Sequence, residues 1–272
     1  MRWRDHTPEM FANALAYEDL MGRWSTRLAP LFADFAQVQD GHRLLDVGCG
    51  TGSLVQAVAD RTRRSEIIGI DPAQPFIDYA RTRFADPRIT FDRGNALELP
   101  YPDRSFDQTL SLLVLMLIPQ PEKAASEMRR VTRPGGTVAA CTWDSGGGGF
   151  EMIAVFWEEA VRLDPAAEAR EERPRHCNRQ GQLTALWRAT GLEDIQETTL
   201  EISTDFASFD DYWSPYTRGV GPTGVYVAEL SLERRNALRD ARRRRLLAGR
   251  SDGPFSLRAR ALAVRGTVPN RQ

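Results

Sequence analysis

The sequence predicts a doubly wound α/β sheet, and three observations carry the prediction. Short apolar segments alternate with amphipathic ones from Arg43 to Trp143. A glycine-rich turn follows the first apolar segment. The connections, punctuated by Pro and Gly, are short, and strands joined through helices in this way must run parallel with right-handed crossovers.

The first forty residues read as two or three short helices. Phe11, Leu15, Leu20, Trp24, Leu28, Leu31 and Phe35 recur near a helical period, with breaks at Gly22 and Pro30. Arg43–Val47 is a buried strand ended by Gly48, and Ser53–Arg61 is a helix with Leu54, Val55 and Val58 on one face. Glu66–Ile70 is the second strand, ended by Asp71 and Pro72; Pro75–Phe84 is the second helix, and Ile89–Phe91 leads a third strand. The polar turn Pro102–Ser105 enters a fourth strand, Phe106–Leu113. Pro121–Val131 is a helix with Pro near its start, where a missing N–H costs little, and Pro134–Gly136 stop it before a fifth strand, Thr137–Trp143.

Beyond the glycine run Gly146–Gly149 the pattern changes. Helices are expected at Phe150–Leu163 and Gln182–Thr190, a strand at Glu193–Ile202 and an aromatic, irregular stretch at Asp210–Tyr216. A charged helix at Leu230–Leu247 and a last strand at Phe255–Val268 follow. The sum is a Rossmann-like, seven-stranded, mostly parallel sheet with helices on both faces. N-terminal helices (1–40) cap a core (41–145). Residues 146–272 complete the sheet and insert a small helical lid before the last strand, all within one structural domain.

The composition is that of an ordinary globular chain: 272 residues, 42% hydrophobic and 27% charged. A net charge of -1 provides no global field for nucleic acid or an anionic membrane. Arg239 and Arg242–Arg245 read as one polar helix face rather than an anion-binding patch. Cys49, Cys141 and Cys177 lack metal or disulfide spacing and read as small buried hydrophobes, so no metal site is expected. The start, MRWRDHTPEM, has no apolar core for a signal peptide, and the longest apolar run, Leu110–Ile118, is too short to span a bilayer. A cytoplasmic protein is expected, with no membrane or nucleic-acid partner and with room for a homodimer.

The strongest motif is the run Leu44–Gly52, Leu-Leu-Asp-Val-Gly-Cys-Gly-Thr-Gly, which ends a strand and opens a helix. Glycine lets a ligand approach the backbone, and the helix start offers free N–H groups. The spacing is GxGxG, not the GxGxxG of dinucleotide folds, and Asp46 stands two positions before the first glycine. A carboxylate there opposes a pyrophosphate and suits an ammonium group. Asp71, at the end of the second strand, is placed to bind ribose hydroxyls. Its plainer role is that of a turn or helix-capping residue beside Pro72.

These segments carry a family resemblance. LLDVGCGTG, IIGIDPAQPFIDYAR, GNALELPYPDRSFD and EMRRVTRPGGTV resemble, in order and spacing, the class I S-adenosylmethionine-dependent methyltransferases. The small-molecule branch that includes the ubiquinone and menaquinone biosynthesis enzymes is similar. The resemblance covers roughly Arg43 to Asp144 and implies S-adenosylmethionine as cofactor. It implies that Asp46, Gly48 and Gly50 line the methionine part, and that Asp71 holds the ribose diol with Pro72 on the adenine. Asn95 and Ala96 would meet the adenine edge, and Ser111 and Leu112 would border the transferred methyl. Arg23, beside Trp24, would reach over the cofactor carboxylate or lie on the surface. The family often has Asp where Asn95 stands, and the quinone enzymes often have histidines where Met116 and Leu117 stand.

Methyl transfer from a sulfonium is an in-line displacement, so alignment matters more than any obligatory catalytic side chain. His176 and Tyr212 are the candidate catalytic residues, their plainer readings being a loop residue and lid packing; His6 also lies outside the core, and His42 abuts the first strand and caps it. Tyr212, Trp213, Tyr216 and Tyr226 suggest an apolar or aromatic small-molecule acceptor, which an open, charged groove would contradict. The rival readings are a non-catalytic S-adenosylmethionine-binding regulatory protein and, more distantly, a nicotinamide-dependent oxidoreductase.

Overall fold

The computed structural model describes residues 13–170 and 176–270; His6 and Phe11 lie outside them. A short helix α1 (Ala14–Tyr17) runs through a π-helical turn (Glu18–Gly22) into α2 (Arg23–Phe35). Then follow β1 (Arg43–Val47), α3 (Ser53–Arg61), β2 (Glu66–Asp71), α4 (Gln74–Arg83), β3 (Ile89–Arg93), β4 (Phe106–Leu112), α5 (Pro121–Val131) and β5 (Thr132–Trp143). The second half holds α6 (Glu151–Leu163), α7 (Gln182–Ala189), β6 (Glu193–Phe206), α8 (Phe209–Trp213), α9 (Gly221–Glu229), α10 (Leu232–Leu247) and β7 (Phe255–Thr267).

The seven strands form one sheet in the order β3-β2-β1-β4-β5-β7-β6, with β1 to β5 parallel and β7 antiparallel to both neighbours. This is the expected fold. The strand order reverses between β1 and β4, so a crevice opens at their carboxyl ends, where ligands bind in open α/β sheets. The right-handed crossovers put α3 on one face, where α2 packs on it, and α5 on the other, where α7 packs on it. The Ser25 and Ser53 hydroxyls, 3.0 Å apart, join the starts of α2 and α3.

Several boundaries differ from expectation. Pro30 does not break α2. Trp24, Leu28 and Phe32, one turn apart, are all fully buried, and that burial outweighs the roughly 3 kcal/mol a mid-helix proline costs. β5 starts five residues earlier than Thr137, because Thr132 already pairs with Phe106 and a bulge absorbs Pro134–Gly136. Gly136 belongs there because a Cβ would sit 2.6 Å from the Asp107 carbonyl oxygen. α9 carries no helical signal in the sequence, since two glycines and a proline mask it, and burial of Tyr226 and Val227 decides it. The stretch from Asp210 is not irregular but α8 and a 3-10 turn, with the Ser208 hydroxyl capping α8.

β6 and β7 pair from Glu193–Thr267 to Phe206–Phe255, whereas β5 leaves β7 at Trp143–Ala261. The outer hairpin therefore overhangs the carboxyl edge of the sheet, and α8 to α10 are inserted at its tip. Trp24, Trp143, Phe150 and Phe206 pack together beneath them, Trp143 stacking on Phe150 at 4.4 Å.

Candidate functional site

The glycine turn sits at the crevice between β1 and β4. Gly48, Gly50 and Gly52 all have positive φ, at 77°, 52° and 93°, a region costly for residues with a Cβ. They are not equivalent. A Cβ on Gly48 would strike Val114 at 2.5 Å and one on Gly52 would strike Phe84 at 2.7 Å, so these two serve close packing. A Cβ on Gly50 would meet only Phe76, at 3.9 Å, so Gly50 faces open space.

Asp46 is 4% exposed, and both carboxylate oxygens lack any hydrogen-bond partner among the described residues. A buried unpaired carboxylate is costly. Burial, with the Asp71 charge nearby, pushes its pKa up to about 8. Asp71 is differently placed. One oxygen accepts from the Gly50 N–H at 3.0 Å and the other from the Ala73 N–H at 2.8 Å. Burial raises its pKa and the two N–H bonds oppose the rise. Asp71 thus braces the glycine turn and the entry to α4, with lone pairs left over for a ligand.

The N-terminal segment closes over this turn. Glu18 accepts from the Thr51 hydroxyl and pairs with Arg83 at 3.5 Å, while Arg83 donates to the Thr51 carbonyl at 2.9 Å. Tyr17 packs on Phe76 with ring centroids 4.9 Å apart, and burial together with Asp71 and Glu18 drives its phenol pKa up. Tyr17 and Glu18 carried no recognisable spacing in the sequence; only the fold brings them to the turn.

On the far wall, the Ser111 hydroxyl donates to the Val47 carbonyl at 2.9 Å and so ties β4 to β1. Leu112 ends β4, and Leu113 adopts a left-handed φ of 65°. A non-glycine residue held there stores about 1–3 kcal/mol of strain, as residues at functional sites often do. Met116 and Leu117 form the 3-10 turn that follows.

The remaining expected site residues are spread over several elements. Arg23 does not reach over the glycine turn: Asp211 takes its guanidinium at 2.9 and 3.3 Å, and it lies 4.8 Å over the Phe206 ring. Tyr212 is 1% exposed, hydrogen-bonded to the Tyr216 hydroxyl at 3.2 Å, and is a packing residue of the lid. Asn95 is exposed, and its side-chain oxygen accepts from the Leu97 N–H at 2.9 Å, holding its own loop together beside Ala96. Pro72, just past the end of β2, is exposed, its carbonyl accepting from Arg93 at 3.3 Å. His176 lies at the carboxyl end of β5, where the next residue, Cys177, accepts from the Thr142 hydroxyl. His42 abuts the start of β1, with Nδ1 buried and unpartnered.

The arginine run is not one polar face, because Arg242 is fully buried. The three cysteines are buried and free, the Cys177 thiol pushed up to about 11 by burial and by Glu122. A groove of about 460 Å³ lies along Gly147–Gly149, Glu151, Glu201, Arg258 and Arg260. It is charged, but none of the residues that line it belongs to the glycine turn, the end of β4 or the lid helices. Among the described residues no group of His, Cys, Asp and Glu could hold a metal, and no helix is long and apolar enough to cross a membrane.

Residues 45–140 match the methyltransferase domain family. The chain is 34% identical over 122 residues to a fatty-acid O-methyltransferase of Mycolicibacterium smegmatis, covering 45% of this chain and 44% of that protein. It is 35% identical over 174 residues to 24-methylenesterol C-methyltransferase 2 of Oryza sativa subsp. japonica, covering 62% and 46%. The chain spans less than half the length of these relatives. A phosphoethanolamine N-methyltransferase 2 of Haemonchus contortus, solved with S-adenosyl-L-methionine, superposes with a TM-score of 0.59 at 19% identity, over 98% of this chain and 59% of that one. Motif order and strand order agree with these likenesses: residues 45–140 carry a methyltransferase domain, set in a sheet with the fold of S-adenosylmethionine-dependent methyltransferases.

Proposed function

We propose that the protein transfers a methyl group from S-adenosylmethionine to a small, apolar or aromatic acceptor. The single observation that carries the cofactor is Asp46. A buried carboxylate with both oxygens unmatched, beside the open space at Gly50, fits a ligand that brings an ammonium group. It fits a dinucleotide pyrophosphate badly, which disfavours the oxidoreductase reading.

S-adenosylmethionine, when bound, supplies a methyl group activated by positive sulfur. The chain's own residues hold and align. Asp46 would hold the amino group, which would supply a partner that its carboxylate lacks among the described residues. Asp71 keeps the Gly48–Gly52 turn in shape through the Gly50 N–H and offers its remaining lone pairs to a ribose diol. The N-terminal segment, through Tyr17 and Glu18, keeps water from the turn. Ser111 fixes β4 against β1, so that Leu112 and Leu113 form a rigid wall at which a nucleophile can be lined up.

The acceptor reading is supported by the aromatic cluster under the lid, and by relatives whose names specify a fatty acid and a methylenesterol. The test is incubation with methyl-labelled cofactor and a panel of apolar acids, phenols and alcohols, scored by label transferred. Cofactor binding without transfer to any of them would favour the regulatory reading.

A further inference from the structure

The lid buries a guanidinium that makes no ion pair with any carboxylate among the described residues. Arg242, on α10, is 0% exposed. Its guanidinium lies within 4.9, 4.8 and 5.2 Å of the ring centroids of Phe156, Tyr212 and Tyr216. Its one hydrogen bond is long, 3.4 Å from Nη2 to the Met152 carbonyl, and Nε and Nη1 have no partner. Glu159, whose charge acts on Arg242 from a distance, is committed to Arg162 and Arg245. Three aromatic faces offset part of the desolvation of a cation, but they satisfy no N–H group.

Two further buried groups lie unmatched in the cluster below. They are Trp143 Nε1, at the carboxyl end of β5, and Thr204 Oγ1, on the same face of β6 as Phe206. Met152 joins the two regions: its sulfur accepts from Trp24 Nε1 at 3.1 Å, and its carbonyl accepts from both Tyr216 and Arg242. Every unmatched buried group from the end of β5 to the lid can donate a hydrogen bond. Their complement is an acceptor-rich anion with an apolar body.

We propose that Arg242 is the anion-recognition group of the lid, and that the methyl acceptor carries a carboxylate that anchors there. The word acceptor rests on the function proposed above; the binding of the anion does not. Entry needs the lid to lift from α6, because Phe156 belongs to α6 while Tyr212, Tyr216 and Arg242 belong to the lid. The ties that hold the lid to the N-terminal helices, Arg23–Asp211 and Arg218–Asp19, are part-exposed pairs of small individual strength.

The test compares dodecanoate with dodecanol, titrated into the full chain and followed by tryptophan fluorescence. The wild type is expected to bind the acid at least tenfold more tightly than the alcohol. Arg242→Met should bring the two within twofold of each other while leaving alcohol binding unchanged, and Arg242→Lys should fall between. Equal binding in the wild type, no saturable binding of either probe, or an acid preference that survives Arg242→Met overturns the proposal. If Arg242→Met does not fold, the wild-type pair and Arg242→Lys decide. A parallel titration with S-adenosylhomocysteine separates the two readings. Its failure on the wild type removes the methyltransferase function and leaves the acid preference standing.

Discussion

Arg23, in the first turn of α2, and Asp211, in α8, form a two-pronged ion pair of 2.9 and 3.3 Å between residues 188 positions apart. The Arg23 donor holds the Asp211 carboxyl below its ordinary pKa. The pair joins the N-terminal helices to the lid, and Arg218 with Asp19 repeats the connection. Each pair is partly open to water and contributes at most about 1 kcal/mol to global stability. Arg23→Ala and Asp211→Ala should therefore leave the melting temperature nearly unchanged. Both should speed hydrogen exchange of the amides in α8, and unchanged exchange would show that the pair does not restrain the lid.

Above pH 8, where the Asp46 carboxyl is ionised, Asp46→Asn removes a buried charge that has no partner among the described residues. The folded protein should become more stable to denaturant, because an uncharged amide costs less to bury than a carboxylate. The same variant should lose about 1.5–3 kcal/mol of S-adenosylhomocysteine binding, the scale for a hydrogen bond to a charged group. Calorimetry and a denaturant titration read the two effects separately. A stabilised variant that binds normally would take the amino-group role away from Asp46.

The pH dependence follows from the same residue. Its folded pKa, about 8, lies above the ordinary carboxylate range, so the folded protein holds a proton there that the unfolded chain releases. Stability from this group is therefore fully present at pH below about 4 and lost as pH rises through 8. Binding of an ammonium group needs the ionised form. Affinity for S-adenosylhomocysteine should rise from pH 6 to 8 with release of one proton, measured by calorimetry in buffers of different ionisation heat. Flat affinity without proton release would contradict the pairing.

Asp71→Ala removes two backbone acceptor bonds as well as any ribose contact. It should weaken cofactor binding by about 1–3 kcal/mol and loosen the glycine turn. Asp71→Asn keeps one acceptor oxygen and should recover part of the loss. Equal affinity in wild type and folded Asp71→Ala would remove the ribose role.

Gly50 and Gly48 should separate binding from folding. Gly50→Val fills open space, at a cost in backbone strain from its φ of 52°, and should abolish S-adenosylhomocysteine binding in whatever fraction of the protein folds, as circular dichroism checks. Gly48→Ala drives a Cβ into Val114 at 2.5 Å and should lower the melting temperature. Tight binding by Gly50→Val would place the site away from the glycine turn.

Local pattern and composition alone determined the parallel core, because each of its strands and helices carries its own periodicity and stop signals. β1, α3, β2 and α5 lie within a residue of where their apolar spacing puts them. The glycine turn with Asp46 and Asp71 was legible for the same reason: its chemistry depends on residues close in the chain. Tertiary structure decided the rest. It sent Arg23 to Asp211, carried α2 through Pro30, built α9 against its own propensity and brought Tyr17 and Glu18 over the turn. It also buried Arg242 among rings from three elements, where its neighbours in sequence suggested a polar surface. Each of these outcomes depends on contacts between residues far apart in the chain, and local spacing carries no record of which distant side chain arrives.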